Sequence, residues 1–157
     1  MDISLSINAL LMDVMKSVHG LKQIMVSDST GLVLAKISKE KDTTDFEGIA
    51  SISTALYLGM ASVKLGELGF SQTIFSDGNL CLYGISKTYV LIAITHTSTP
   101  VKQLRDAMEK IGKSISKQLE LYHQSQKIER KQEEVCLKEG FLTDSELNAI
   151  LNELSFD

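Results

Sequence analysis

The chain has 157 residues, of which 43% are hydrophobic and 23% are charged, a composition typical of one globular domain with a small appendage. Residues 1–122 carry 12 basic and 12 acidic side chains, and residues 123–157 carry 4 basic and 8 acidic ones, so the net charge of −4 comes from the C-terminal end. A neutral body with an acidic tail argues against nucleic acid as a partner, because nucleic-acid recognition depends on basic patches.

The sequence also argues against a membrane or secreted protein. No apolar run reaches the ~18 residues that a membrane-spanning helix needs. Asp2 and Asp13 stand where a signal peptide would be free of acidic residues. Two cysteines, Cys81 and Cys136, are too few for a disulfide framework or a zinc site. We therefore expect a cytoplasmic protein with no direct membrane insertion, no metal site and no cofactor.

The first part of the chain predicts a helix followed by a hairpin. Apolar residues recur at a helical period over residues 2–19, and Gly20 follows where a helix would end. Residues 21–27 and 32–38 have the composition of strands, and the turn between them contains Asp28 and Gly31. These two strands are expected to pair antiparallel.

A second helix is predicted from the capping box Thr44–Glu47 to about Leu65. Its segment 48–63 has no charged residue and is rich in Gly, Ala, Ser and Thr. The larger apolar residues recur at spacings of three and four and predict the face that packs on the domain: Ile49, Ile52, Leu56, Met60 and Val63. The opposite face also lacks charge, whereas a surface helix normally carries charge there. Something must cover this second face.

Residues 70–76, 80–86 and 89–96 predict a meander of three strands with tight turns. The last of them is a continuous apolar run, typical of a central strand buried on both faces, so helices are expected on both sides of the sheet. The result is an α+β fold, an α/β sandwich with a five-stranded antiparallel sheet and the element order α-ββ-α-βββ-α.

The C-terminal part predicts a long helix and then a helical tail. Thr99 and Pro100 begin the long helix, whose apolar stripe fades beyond Tyr122. Glu139–Gly140 is expected to break it, and a second capping box at Thr143–Glu146 predicts a short helix. The apolar residues of that short helix are Leu147, Ile150, Leu151 and Leu154. Whether this helix docks on its own domain or on a partner stays open.

The residue types for catalysis are present but not in a catalytic pattern. The histidines His19, His96 and His123 lie in different elements without metal-ligand spacing. Turn chemistry explains Asp28 and Asp77, and Cys81 lies within a predicted strand. We expect a protein that is not an enzyme and that works by binding.

A second copy of the chain, or its own tail, could cover the uncharged face of the second helix. We predict a homodimer, because the strand 70–76 also lacks charge and an uncharged edge strand needs a partner. The predicted dimer interface comprises Ser51, Thr54, Ala55, Leu58, Ala61, Ser62 and Leu65 from the helix, and Phe70, Gln72, Thr73, Ile74 and Phe75 from the strand.

The order of elements and three stretches, residues 21–38, 46–63 and 70–96, resemble the Roadblock/dynein light chain (Roadblock/LC7) family, whose fold is a profilin-like α/β sandwich. The resemblance covers roughly residues 3–122. It predicts a Roadblock-like domain over residues 1–122 and an acidic helical extension over residues 123–157.

What the resemblance implies is a dimer formed through the second helix and the third strand. Members of the family are noncatalytic scaffolds: dynein light chains, subunits of complexes that hold Ras-like GTPases, and prokaryotic regulators of a partner GTPase. The expected function is therefore that of a homodimeric scaffold that binds a small Ras-like GTPase and modulates its nucleotide cycle or localisation. The expected partner-binding residues are Tyr57, Lys64 and Glu67 on the helix rim, and Leu147, Ile150, Leu151 and Leu154 in the tail.

Two other functions remain open from the sequence. One is a light-chain-type adaptor that has no GTPase partner. The other is a small-molecule sensor domain, because related sandwich folds hold ligands between sheet and helix. Polar residues that point into an internal cavity would favour the sensor.

Overall fold

The computed structural model describes the backbone of residues 2–39 and 45–155 and the side chains of residues 2–39 and 45–134. The described elements are α1 (Ile3–Ser17), β1 (Leu21–Asp28), β2 (Val33–Ser38), α2 (Phe46–Ala61), β3 (Phe70–Phe75), β4 (Gly78–Gly84), β5 (Tyr89–Thr95) and α3 (Val101–Ser155). This order confirms the predicted α+β arrangement α-ββ-α-βββ-α.

The five strands form one antiparallel sheet in the order β2-β1-β5-β4-β3. The predicted central position of the last strand is confirmed, since β5 lies between β1 and β4 and nearly all of its residues are buried. β3 is one edge strand of the sheet, and β2 is the other.

One face of the sheet is covered by α1 and by the first part of α3. Large apolar side chains from both helices are fully buried there against alternate residues of β1 and β5. The principal members of this cluster are Ile7 and Leu11 from α1, Leu104, Met108 and Ile115 from α3, and Ile24, Val26, Leu91 and Ala93 from the sheet. The cluster is the larger part of the hydrophobic core.

The other face of the sheet is covered by α2. Ala50 and Tyr57 of this helix are buried against Met25, Leu82 and Ile92, which belong to β1, β4 and β5. Helices therefore lie on both sides of the sheet, as the continuous apolar run of β5 predicted.

The side of α2 that packs on the sheet differs from the predicted one. The buried residues are Ala50, Ser53, Thr54 and Tyr57. Ile52 is 63% exposed and Val63 is 60% exposed, and Leu56 is exposed as well, so the prediction that they face the core was wrong. Ile49 and Met60 are half-buried against the apolar residues that α2 buries on the sheet, so the predicted inward orientation was partly right for these two.

Small side chains on the inner face explain this orientation. Ala, Ser and Thr occupy little volume, so the helix axis can approach the sheet closely. The β1–β2 turn also approaches α2 closely, because a Cβ placed on Gly31 would lie 3.2 Å from Ser51 Oγ. Because residues 48–63 carry no charge on any side of the helix, hydrophobic periodicity alone could not tell its inner face from its outer one.

The start of α2 also differs by one residue. Asp45 is the N-cap, and its Oδ1 accepts a hydrogen bond from Gly48 N at 2.8 Å. Thr44, the cap of the predicted capping box, lies outside the described residues. An aspartate at this position satisfies a free amide and also places a negative charge at the positive end of the helix dipole.

α3 continues as one helix through the predicted break at Glu139–Gly140 and through the predicted capping box at Thr143–Glu146. The prediction of a separate short helix was therefore wrong. A single glycine in a helix interior costs only about 1 kcal/mol, and its neighbours are mostly good helix formers.

The chain divides into two compact units, Met1–Leu119 and Glu120–Asp157. The first unit holds the sheet, α1, α2 and the beginning of α3. In the second unit, Gln126 Nε2 donates a hydrogen bond to Tyr122 OH at 3.2 Å, and Leu121 and Ile128 are exposed. Among the described residues, no helix is both long and apolar enough to cross a membrane.

Candidate protein interaction surface

Large apolar side chains are exposed along α2, along the segment that follows it and on β3. We call them the α2–β3 surface: Ile52, Leu56, Leu58, Val63, Leu65, Ile74 and Phe75. Leu65 is 90% exposed and Ile74 is 76% exposed. Isolated exposed leucines are ordinary, but a group of this size on neighbouring elements is typical of an interaction site.

Two grooves make this surface continuous. One, of about 490 Å³, runs along α2 and is lined by Ile52, Ala55, Leu56, Gly59, Met60 and Val63. The other, of about 330 Å³, lies between α2 and the β3–β4 hairpin, where Ile52 and Phe75 both line it. Ile52 belongs to both grooves, so the apolar side chains of α2 and Phe75 of β3 form one surface. Ile74 extends it around the edge of the sheet, because it is exposed on the opposite side of β3 from Phe75.

The second groove contains a polar group without a partner. Ser53 lines it and is fully buried, and its Oγ makes no hydrogen bond with any described residue. A buried hydroxyl without a partner costs free energy, so this position favours contact with an incoming polar atom.

The exposed edge of β3 adjoins the same surface. Among the described strands β3 pairs only with β4, so one of its edges has unpaired backbone groups. Thr73, Ile74 and Phe75 are exposed, and no residue of the strand is charged. Natural edge strands are normally protected by charge, proline or a covering element, and this strand has no charge and no proline.

Known structures share this architecture. A Roadblock/LC7 domain from Streptomyces avermitilis matches with a TM-score of 0.64 and 17% identity, over 71% of this chain and 96% of that chain. The chain has the Roadblock/LC7 fold. Gliding protein MglB from Thermus thermophilus matches with a TM-score of 0.69 and 11% identity, over 76% of this chain and 93% of that one. MglB from Myxococcus xanthus matches with a TM-score of 0.62 and 17% identity, over 75% and 94%.

These matches confirm the resemblance that the sequence indicated, at the level of the fold. No family model and no curated protein sequence matches the chain. The Roadblock fold is therefore recognised through the order and packing of its elements, because sequence identity to these structures is only 11–17%.

Most of the residues predicted for the dimer interface are accessible on this Roadblock fold. The exposed ones are Ser51, Ala55, Leu58, Ala61, Ser62, Leu65, Thr73, Ile74 and Phe75, and the half-buried ones are Phe70 and Gln72. Whether these residues meet a second copy remains a prediction.

Thr54 is the exception among the predicted interface residues. It is buried, its Oγ1 lies 3.4 Å from Ser27 Oγ, and it donates to the carbonyl oxygen of Asp28 at 3.5 Å. The prediction that Thr54 lies on the outer face was wrong, because this side chain attaches α2 to the end of β1.

Tyr57 also differs from its prediction as a rim residue. It is buried, and its hydroxyl donates a hydrogen bond to the carbonyl oxygen of Ser86 at 2.6 Å. Burial raises the pKa of Tyr57, and the negative charge of Glu67 raises it further. Tyr57 therefore anchors α2 to the chain after β4 and cannot contact a partner.

Lys64 and Glu67, the other predicted rim residues, are exposed in the segment after α2. The tail residues lie on α3, but their side chains are outside the described residues: Leu147, Ile150, Leu151 and Leu154.

The sequence interpretation missed Ile52, Leu56 and Val63 as accessible residues. A signal for them was present, because Ala50, Ser53, Thr54 and Tyr57 also recur at spacings of three and four and form a helical stripe. Small size, rather than hydrophobicity, marked the face that packs on the sheet.

The residue types that could carry chemistry do not assemble. In the part of the chain that the structure describes, no three His, Cys, Asp or Glu side chains lie close enough to hold a metal ion. Cys81 is buried in β4, and burial raises the pKa of its thiol to about 11, which leaves it protonated and unreactive at neutral pH. What the site offers is apolar surface and a strand edge.

Proposed function

We propose that this chain is a noncatalytic homodimeric scaffold or regulator that binds a small Ras-like GTPase and modulates its nucleotide cycle or localisation. The observation that carries the proposal is the α2–β3 surface, where exposed apolar side chains adjoin an unpaired, uncharged strand edge. The GTPase comes from the resemblance to the Roadblock family, and the self-association comes from the surface itself.

A second copy fits the α2–β3 surface on physical grounds. A stable dimer buries roughly 800 Å² on each subunit, and a fully buried Leu or Ile side chain contributes ~1.5–3 kcal/mol. Leu58, Phe75 and Ile74 offer exposed side chains of this kind, and the edge of β3 can pair with the same edge of another copy about a twofold axis.

The proposed dimer leaves charged groups of the helix rim for a different partner. Tyr57 is removed from the proposed partner contacts because it is buried, whereas Lys64 and Glu67 are exposed and carry opposite charges. We assign the GTPase contact to these two residues. We further propose that residues 1–122 form the Roadblock domain and that Leu147, Ile150, Leu151 and Leu154 in the acidic extension 123–157 add to the partner contact.

The dimer is tested by Leu58→Asp, with Leu5→Asp as the matched control. Both leucines are exposed on a helix, but Leu5 belongs to α1 and lies outside the α2–β3 surface. A carboxylate buried without a partner at position 58 disfavours association by several kcal/mol. Light scattering after size exclusion should give a dimer for the wild type and for Leu5→Asp, and a monomer for Leu58→Asp. A monomeric wild type at tens of micromolar would end the proposal of a homodimer.

The GTPase contact is tested with a Ras-like GTPase encoded near the gene for this chain. Nucleotide hydrolysis and exchange are measured with the wild type and with the charge-reversed pair Lys64→Glu/Glu67→Lys, whose net charge is unchanged. Binding should be lost in the variant while the dimer persists. The tail contact is tested separately by measuring GTPase binding with Leu147→Ser/Leu151→Ser, which should weaken it. A GTPase that neither binds nor changes its rates would leave the light-chain-type adaptor as the better function.

One observation favours the sensor as a second candidate. The groove with Ser53 has a volume of about 330 Å³ and one unpartnered buried hydroxyl, which suits a small apolar ligand with one hydrogen-bonding group. A thermal-shift screen with metabolites and nucleotides tests it. A compound that stabilises the protein by several degrees, and loses that effect in Ser53→Ala, would favour the sensor.

A further inference from the structure

A second concave site lies at the end of the sheet where β1 begins and β5 ends. We call it the basic pocket. It has a volume of about 440 Å³ and is lined by His19, Gly20, Leu21, Lys22, Lys39, His96 and Ser98. None of these residues belongs to the α2–β3 surface, so the pocket is not explained by the proposed dimer.

Backbone hydrogen bonds hold the three segments of the basic pocket together. His96 N donates to Gly20 O at 2.9 Å and joins the end of β5 to the turn after α1. Lys39 N donates to Lys22 O at 3.0 Å and joins the end of β2 to the start of β1. The basic side chains therefore project from a fixed frame and not from a single loop.

Lysines give the basic pocket its charge. The described residues that line it include two lysines and two histidines and no acidic residue, although residues 1–122 as a whole are neutral. Within residues 2–39 and 45–134, neither Lys22 nor Lys39 forms a salt bridge; the ion pair found there is Lys113 with Glu109. Like charges in one concavity repel each other, so an anion bound between them would lower the free energy of the folded chain.

Two further features supply hydrogen-bond donors beside the pocket. Thr99 is buried, and its Oγ1 has no hydrogen-bond partner among the described residues. Gly20, which lines the pocket with φ +82°, lies against this hydroxyl, and a Cβ at position 20 would collide with it. α3 begins at Val101, three residues after Ser98, so the free amides of a helix N-terminus lie close by in the chain.

We propose that the basic pocket binds the phosphate group of a small molecule. A phosphate monoester places nearly two negative charges on three oxygens in a compact group, and two lysine ammonium groups around one concavity match that charge. The volume of the pocket falls within the range of small-ligand sites. The same phosphate chemistry could come from a free metabolite or nucleotide or from a phospholipid headgroup.

The proposal is tested by titrating the full chain with inorganic pyrophosphate, using calorimetry and ¹⁵N-resolved NMR. We expect saturable binding, with the amide signals of Gly20, Lys22 and Ser98 shifting most. Lys22→Gln/Lys39→Gln should weaken binding by about tenfold. The matched control Lys87→Gln/Lys117→Gln removes the same charge from positions outside the pocket and should change affinity by less than about twofold.

The outcomes separate the sources and can overturn the proposal. Lys22→Arg/Lys39→Arg should retain binding if the pair provides charge. If the double glutamine variant fails to fold, the single variants Lys22→Gln and Lys39→Gln replace it, and each should weaken binding. Flotation with vesicles that contain phosphatidic acid, whose headgroup is a phosphate monoester, assigns the site to a lipid headgroup if it is sensitive to the lysine pair and competed by pyrophosphate. Absence of saturable binding at millimolar pyrophosphate, or equal weakening in both glutamine pairs, refutes the pocket. Because the lysines lie outside the α2–β3 surface, the dimer should be unaffected.

Discussion

The two faces of the sheet are built differently. On one face, α1 and α3 bury large aliphatic side chains such as Leu11, Met108 and Ile115. On the other, α2 alone packs, and the residues it buries are mostly small: Ala50, Ser53 and Thr54, with Tyr57 as the large exception. The first face is a closed core, whereas the second is a thin layer with apolar side chains on its outer side.

The difference shows which side of this Roadblock fold leaves large apolar side chains exposed. A helix that uses its small residues against its own sheet keeps its large apolar residues for the outer face. Ile52, Leu58 and Val63 are exposed. A single exposed apolar side chain is ordinary, but a contiguous group of them favours burial against a partner. The core face determines stability, and the α2 face is free to serve association.

The largest expected effect is the contrast between Leu11→Ala and Leu65→Ala. Leu11 is fully buried, so its truncation should lower the free energy of unfolding by ~2–5 kcal/mol. Leu65 is exposed, so its truncation should change that free energy by less than about 0.5 kcal/mol. Urea unfolding should be measured in the Leu58→Asp background, where association adds nothing. A large cost for Leu65→Ala would show that the chain covers this position itself.

A smaller effect is expected for Tyr57→Phe, which tests whether α2 is anchored from its inner face. The change removes the hydrogen bond from Tyr57 OH to Ser86 O and should cost about 1 kcal/mol in unfolding free energy. The control is Tyr122→Phe, which removes a hydrogen bond from Gln126 within α3 and should cost only ~0.2–0.5 kcal/mol. If Tyr57→Phe instead abolished partner binding and left the stability unchanged, Tyr57 would be a partner-binding residue and not an anchor of α2.

The smallest effect concerns Asp28, in the turn where α2 meets β1 through Thr54. Burial by itself raises the pKa of Asp28, but hydrogen bonds from Thr30 and Leu32 to its carboxylate outweigh it and lower the pKa below 3.8. A lowered pKa means that the charged carboxylate stabilises the fold above its unfolded-state pKa. That stabilisation is lost as the pH falls through the folded-state pKa.

Asp28→Asn should therefore destabilise the chain by ~0.5 kcal/mol at neutral pH, because its hydrogen bonds are solvent-exposed and screened, and the difference should narrow below a pH of about 4. The measurement is thermal or urea unfolding across pH. Asp77→Asn, in the β3–β4 turn, is the control, since Asp77 accepts no hydrogen bond from a described residue. A difference between wild type and Asp28→Asn that is the same at every pH would contradict the role assigned to the carboxylate.

Much of the fold could be predicted because its signals are local. Strand alternation, the turn chemistry of Asp28 and the apolar run of β5 each depend on a few neighbouring residues, and the strand order agrees with them. The failures lie where local signals were ambiguous. Gly140 predicts a helix break, but one glycine is tolerated in a helix and α3 continues through it. The inner face of α2 could not be identified from residues 48–63, because no side of this segment carries charge.

By itself, the sequence determined the number and order of the elements, the central position of β5 and the absence of charge on residues 48–63 and on β3, because these follow from residue type and spacing. Only the tertiary structure decided which side of α2 packs inward, because that depends on how closely a small-residue stripe can approach the sheet. The same packing buried Thr54 and Tyr57 and exposed Ile52 and Val63. It also brought Lys22, Lys39 and His96 from three separate segments to one pocket, which no spacing along the chain could indicate.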